Sequence, residues 1–200
     1  STTISIPAQF CGPPRSSNGG YFCGMVSAQL DGPVVVRLKA PPPLDTEMAI
    51  EMDGQAGRVV CGDREIAQVM PARGELEPSP PIPSEEAAKI SERGPEASQV
   101  NHPFPTCFVC GPDRDAGDGM RIFTGPNDDE SLYAAAWYAD PAWSRDGTFV
   151  DEAYIWSAMD CPSSGPAFAN ALNPDSDIAY VLGTLEVRIV ERPKVGAHYV

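Results

Sequence analysis

Long apolar runs are missing from this 200-residue chain: no stretch approaches the roughly 18 consecutive apolar residues a membrane helix needs, so no membrane span is expected. Positive charge is scarce as well, with 14 Lys and Arg against 28 Asp and Glu and a formal charge of −14. Such a surface repels a phosphate backbone, which excludes nucleic acid as an expected partner. The opening STTISIPAQFCGPP carries neither the basic n-region nor the apolar h-region of a secretory signal. A cytoplasmic protein with reduced thiols is therefore expected. Only two histidines occur, His102 and His198, which leaves little room for chemistry built on imidazole.

Turn formers, by contrast, are abundant. Pro (22) and Gly (18) make up 20% of the chain, alongside an ordinary hydrophobic fraction of 42%. A packed core with many turns and at least one loose linker follows. Of the six cysteines, Cys23 and Cys61 lie inside apolar patterns, where a free thiol behaves as a small core residue.

Along the chain, Thr3 to Ile6 is a strand candidate, extending up to Phe10. Asn18 is a good N-cap for the apolar stretch Tyr21 to Leu30, and a helix that is apolar all round is a buried one. Val34 to Lys39, Glu47 to Met52, Arg58 to Cys61 and Glu65 to Met70 read as strands joined by turns at Asp53-Gly54 and Gly62-Asp63. Residues 73–106, rich in Pro and Glu, form a mobile or surface-hugging linker, with a short capped helix from Ser84 to Gly94. Beyond it, Met120 to Phe123 and Leu132 to Tyr138 are expected strands. A second apolar helix occupies 147–160, a polar loop 163–177, and a long strand Ile178 to Val190. The pattern is α+β.

The two halves echo each other. Val36-Arg37-Leu38 matches Val187-Arg188-Ile189 at an offset of 187 − 36 = 151, and the same offset takes Pro42 to Pro193. A buried helix precedes the strand in both halves, so the expected units are 1–72 and 107–200, joined by the linker 73–106. In that register Val200 corresponds to Ala49, with two strands of the first copy still to come. The second copy is therefore expected to be incomplete here, and the natural chain to continue.

Cys107-Phe-Val-Cys110-Gly111 followed by Asp118-Gly119-Met120-Arg121-Ile122-Phe123 resembles the CxxCG…GLxxxF opening of phenylacetate-pathway-type (PaaI-like) thioesterases of the hotdog-fold superfamily. Asn18-Gly19-Gly20 and Gly147 to Ala153 resemble that family's G-x-V-H-G-G entry into its central helix. The resemblance implies a double hotdog, two antiparallel sheets each wrapped around a helix, forming a homo-oligomer (a dimer of double hotdogs). It also implies an acyl-CoA or acyl-carrier thioester substrate and no cofactor. In the family the catalytic Asp lies nine residues after the His of HGG. Asp151 stands at the His position of the second helix, so 151 + 9 places Asp160 as general base or nucleophile. Asn18 stands at the His position of the first helix, and Ser27 falls at 18 + 9. The implied site thus joins Asn18 and Asp160 as catalytic groups with Gly19, Gly20, Tyr21, Asp151 and Glu152 in substrate binding. Asp-Glu-Ala replaces His-Gly-Gly in the second helix, and two carboxylates there cannot steady an oxyanion, so one working site per double unit is expected.

Each of these residues has a plainer reading. Asn18-Gly19-Gly20 serves as an N-cap and tight turn, Asp151 and Glu152 as first-turn acids that suit the helix dipole, and Ser27 as a small packing residue. Cys107 and Cys110 read as a tight turn with two packed thiols, so no metal is expected. The rival is a Cys3His zinc site completed by His102 and Cys161. A non-catalytic acyl-binding scaffold and a hotdog dehydratase or hydratase are the alternative functions.

Overall fold

A computed structural model describes residues 2–78, 81–99, 102–165 and 179–200. The architecture is α+β with a mostly antiparallel sheet, as the pattern of apolar segments predicts. Strand β1 (Thr2–Ile4) leads through a 3-10 turn (Ala8–Phe10) to helix α1 (Gly19–Ser27). Four strands follow: β2 (Val34–Leu38), β3 (Met48–Asp53), β4 (Ala56–Cys61) and β5 (Arg64–Pro71). The expected turns fall between β3 and β4 and between β4 and β5, where Gly54 and Gly62 take φ values of 63° and 57°. Both lie in the left-handed region that glycine adopts without a steric penalty.

These strands align in the order β1-β3-β4-β5-β2, and a late strand, β9 (Thr184–Glu186), extends the sheet from β2. All pairings are antiparallel. Met48, Ile50, Val59, Ala67, Val69, Val34 and Val36 form one buried cluster with Tyr21, Phe22, Cys23 and Val26 of α1. The helix is apolar all round because it is covered on one side by the sheet and on the other by a second helix, α3 (Glu152–Ser163).

The two helices run antiparallel and touch backbone to backbone. A Cβ added at Gly24 would lie 2.6 Å from Ala153 Cα, and one at Gly20 would lie 2.7 Å from Trp156 O. Ser27 Oγ and Glu152 Oε1 close the far end at 2.6 Å. Helix α3 starts later than its apolar pattern suggests. Asp146 Oδ1 accepts from the N–H groups of Thr148 and Phe149 and holds that stretch in a turn. The helix also runs past Asp160 and through Pro162, whose missing N–H falls in the final turn.

The linker holds more order than its composition predicts. Helix α2 (Ser84–Gln99) continues beyond Gly94 and buries Ala87, Ile90 and Gly94 on one face. Gly94 packs directly on Phe123 O, a contact that leaves no room for a side chain.

Strands of the second half are shorter than expected. Met120–Phe123 is not a sheet strand, because Arg121 at φ 54° turns the chain out of the β region. The segment 132–138 is split: β7 (Tyr133–Ala134) pairs with β6 (Gly125–Pro126), and β8 (Trp137–Tyr138) with β10 (His198–Tyr199). Two short pieces with different partners cannot make one continuous strand. The expected strand over 178–190 reduces to β9, its first residue lying outside the described residues along with most of the 163–177 loop.

Gly24→Ala is expected to lower stability by about 1–3 kcal/mol despite alanine's better helix propensity, because the new methyl collides with the α3 backbone. Urea unfolding measures this, and an unchanged or raised midpoint would contradict the close contact.

Candidate functional site

Antiparallel packing brings the last turn of α3 to the first turn of α1. Asp160 Oδ2 accepts from Gly20 N–H at 2.8 Å. An acid in the last turn of its own helix is disfavoured by that helix's dipole; here it faces the positive end of another helix, which offsets the cost. Asn18 caps α1 as its position predicts, its Oδ1 accepting from Tyr21 N–H at 2.9 Å. Its backbone oxygen accepts from Phe22 N–H at 3.1 Å. The first amides of a helix have no intrahelical acceptor, and among the described residues none accepts from Gly19 N–H.

Asn18, Gly19 and Asp160 line a cavity of about 630 Å³ with Leu38, Pro41, Phe104 and Leu182 on its apolar walls. Asp160 is half-buried there. Burial pushes its pKa up to about 7, with a smaller rise from Cys107, while the Gly20 N–H and the Asn18 amide pull it down. A carboxyl group of this kind exchanges a proton readily near neutral pH.

Cys107, Cys110 and Cys161 stand in the same wall. The Cys107–Cys110 segment is the tight turn its sequence predicts, closed by Gly111 N–H donating to Cys107 O at 2.9 Å. A Cβ on Gly111 would lie 2.5 Å from that same oxygen, so the turn requires glycine. The loop is tied to the N-terminal segment through Phe108 N–H to Cys11 O at 2.7 Å and through Arg114, which donates to Gln9 O and Thr106 O. Beyond what the CxxC pattern shows, Cys161 joins the pair, with Cys107 Sγ and Cys161 Sγ 4.0 Å apart. Asn18 Nδ2 lies 3.9 Å from both of these sulfurs. Hydrogen bonds from the thiols of Cys110 and Cys161, and from the N–H groups of Cys110 and Val109, hold the Cys107 thiol well below the usual range. His102 stands outside the sulfur cluster, and its Nδ1 accepts from Phe104 N–H at 3.0 Å.

Of the residues singled out in the sequence, Asn18, Gly19, Gly20 and Asp160 converge. The others do not join them. Tyr21 turns into the core, stacked on Phe10 with ring centroids 4.0 Å apart, and burial raises its pKa above the ordinary phenol range. Asp151 and Glu152 lie at the opposite end of the helix pair, about 13 Å along α3 from Asp160. There Asp151 pairs with Arg145 at 2.8 Å and with Arg192 at 3.7 Å, and Glu152 bonds Ser27. Cys161, weighed in the sequence only as the distant member of a rival Cys3His set, stands at the site beside Cys107, whereas His102 of that set does not. The 54 residues between Cys107 and Cys161 hide that contact from local pattern.

Comparison with family models, curated proteins and solved structures finds no match for this chain.

Asn18→Ala removes both the helix cap and the amide that faces two sulfurs. A loss of about 1 kcal/mol in stability is expected from the cap, read as a lower thermal midpoint, whereas Asn18→Asp should retain most of it.

Proposed function

We propose that this protein hydrolyses acyl thioesters in the cavity between the start of α1 and the end of α3. The observation that carries the reading is the Asp160 carboxylate held 2.8 Å from Gly20 N–H at the wall of a largely apolar cavity. The thioester carbonyl oxygen takes the open Gly19 N–H at the positive end of α1, where negative charge developing on oxygen is stabilised. Asp160 removes a proton from the attacking water. The new C–O bond forms, the C–S bond breaks, and the proton passes to the departing thiolate. Apolar walls accept the acyl chain.

Two further features support a duplicated hotdog-like arrangement. At the sequence offset of 151, Val35 has Glu186 as its counterpart (35 + 151), and these two residues pair with each other across β2 and β9. Each strand then faces its own copy about a local twofold axis. The helices correspond at an offset of their own (160 − 27 = 133), yet only one end is equipped: Glu152 and Ser27 bond each other where Gly19 and Asp160 stand at the working end. On this reading the chain carries one active site, and acyl-CoA or an acyl-carrier thioester is the substrate. The non-catalytic acyl-binding alternative keeps the cavity but has no use for a carboxylate placed against an amide.

Thiol release from a panel of acyl-CoA thioesters tests the proposal. Asp160→Asn keeps a carbonyl oxygen for the Gly20 N–H and removes a buried charge, so its thermal midpoint should equal or exceed that of the wild type. Its kcat should fall by about 100-fold or more, the range of a lost general base. Equal turnover by the two proteins at every chain length would rule out Asp160 as the base.

A further inference from the structure

The three clustered cysteines supply no reacting atom in the proposed hydrolysis, yet all three stand together in the wall of the same cavity. We propose that Cys107, Cys110 and Cys161 bind a zinc ion at the wall of the cavity. Their three sulfurs all lie within 4.8 Å of one another, and two of them are 4.0 Å apart. Around a tetrahedral zinc with Zn–S bonds of ~2.3 Å, sulfurs sit about 3.8 Å apart. Shifts of less than an ångström therefore complete the arrangement. A disulfide would draw only two sulfurs together and leave the third without a role, and all three thiols are free.

The second line of argument is what points at the sulfurs. Asn18, fixed by its cap to Tyr21, aims its amide at Cys107 and Cys161 from 3.9 Å. Donors converging on sulfur stabilise thiolates, as the outer shell of a metal site does. Gly111, the one residue able to follow Cys110 in so tight a turn, allows the loop to present both of its sulfurs. Among the described residues no histidine or carboxylate oxygen belongs to the cluster. Since its sulfurs line the cavity, the remaining position of a tetrahedral ion is open to solvent.

The inference is independent of thioester hydrolysis. Under it, Asp160→Asn retains its metal even where it loses turnover. Elemental analysis of protein purified under reducing conditions should find about one zinc per chain, falling at least tenfold in Cys107→Ser and Cys161→Ser but not in Cys61→Ser. Cobalt(II) added to stripped wild-type protein should give the intense near-ultraviolet thiolate-to-metal charge-transfer band. That measurement needs no variant, so it carries the test even if the serine proteins fail to fold. Wild-type protein with neither zinc nor a cobalt band would overturn the proposal. So would a Cys161→Ser protein with native circular dichroism and full zinc content, or a Cys107–Cys110 disulfide found by thiol counting. Uptake of copper(I) with exclusion of zinc would overturn the assignment of the ion.

Discussion

At Gly24 the α1 backbone has room for a hydrogen atom and nothing larger, because Ala153 of α3 lies where a side chain would begin. Gly20, one turn earlier, meets Trp156 O and Ser157 Cα in the same way. Two glycines on one helix face thus let the helix axes approach until backbones touch, and the rest of the molecule is arranged around that contact. The sheet covers the outer side of α1. The aromatic group of Phe10, Tyr21, Phe108, Trp143 and Tyr154 fills the seam between the halves, with edge-on and stacked contacts of 4.0 to 6.1 Å. A larger residue at either glycine would separate Asp160 from the α1 amides and Cys161 from the CxxC turn together.

The same contact produces two chemically different ends. Where α1 begins, its Gly20 amide donates to the acid that closes α3, and a cavity opens beside them. Where α3 begins, Glu152 and Ser27 satisfy each other and Asp151 is neutralised by Arg145 and Arg192. A partly desolvated carboxylate with no cation beside it is poised to exchange protons; one held by two arginines is not. The two ends of the helix pair thus differ: one opens on a cavity, the other is closed by its own side chains.

Much of this was legible from residue pattern. The apolar, capped stretch after Asn18 and the strand meander from Val34 to Met70 follow from propensity and turn chemistry acting locally. The nine-residue step from Asp151 to Asp160 rests on the family resemblance alone, and the helix periodicity merely sets those residues at opposite ends. What escaped depends on contacts between distant segments. Cys161 pairs with the CxxC loop only in a rival reading that also needs His102, and it is the course of α3 that brings Cys161 to the loop and leaves His102 out. Strand length in the second half is governed by partners: Tyr133 and Trp137 lie four residues apart yet pair with different segments, so period-two alternation overstated their continuity. Arg121 is a left-handed exception that no propensity anticipates. Ala87 and Ile90 become core residues because α2 finds a surface at Phe123, which composition alone does not reveal.

Under the proposed function the thioester carbonyl binds at Gly19 N–H, next to the Gly20 amide that holds Asp160, and nuclear magnetic resonance of glycine-labelled protein observes both directly. Titration with a non-hydrolysable thioether analogue of an acyl-CoA should shift the amide signals of Gly19 and Gly20 in a saturable way, leaving Gly54 and Gly57 at the β3–β4 hairpin unmoved. Saturable binding that leaves Gly19 and Gly20 unperturbed would contradict the central claim.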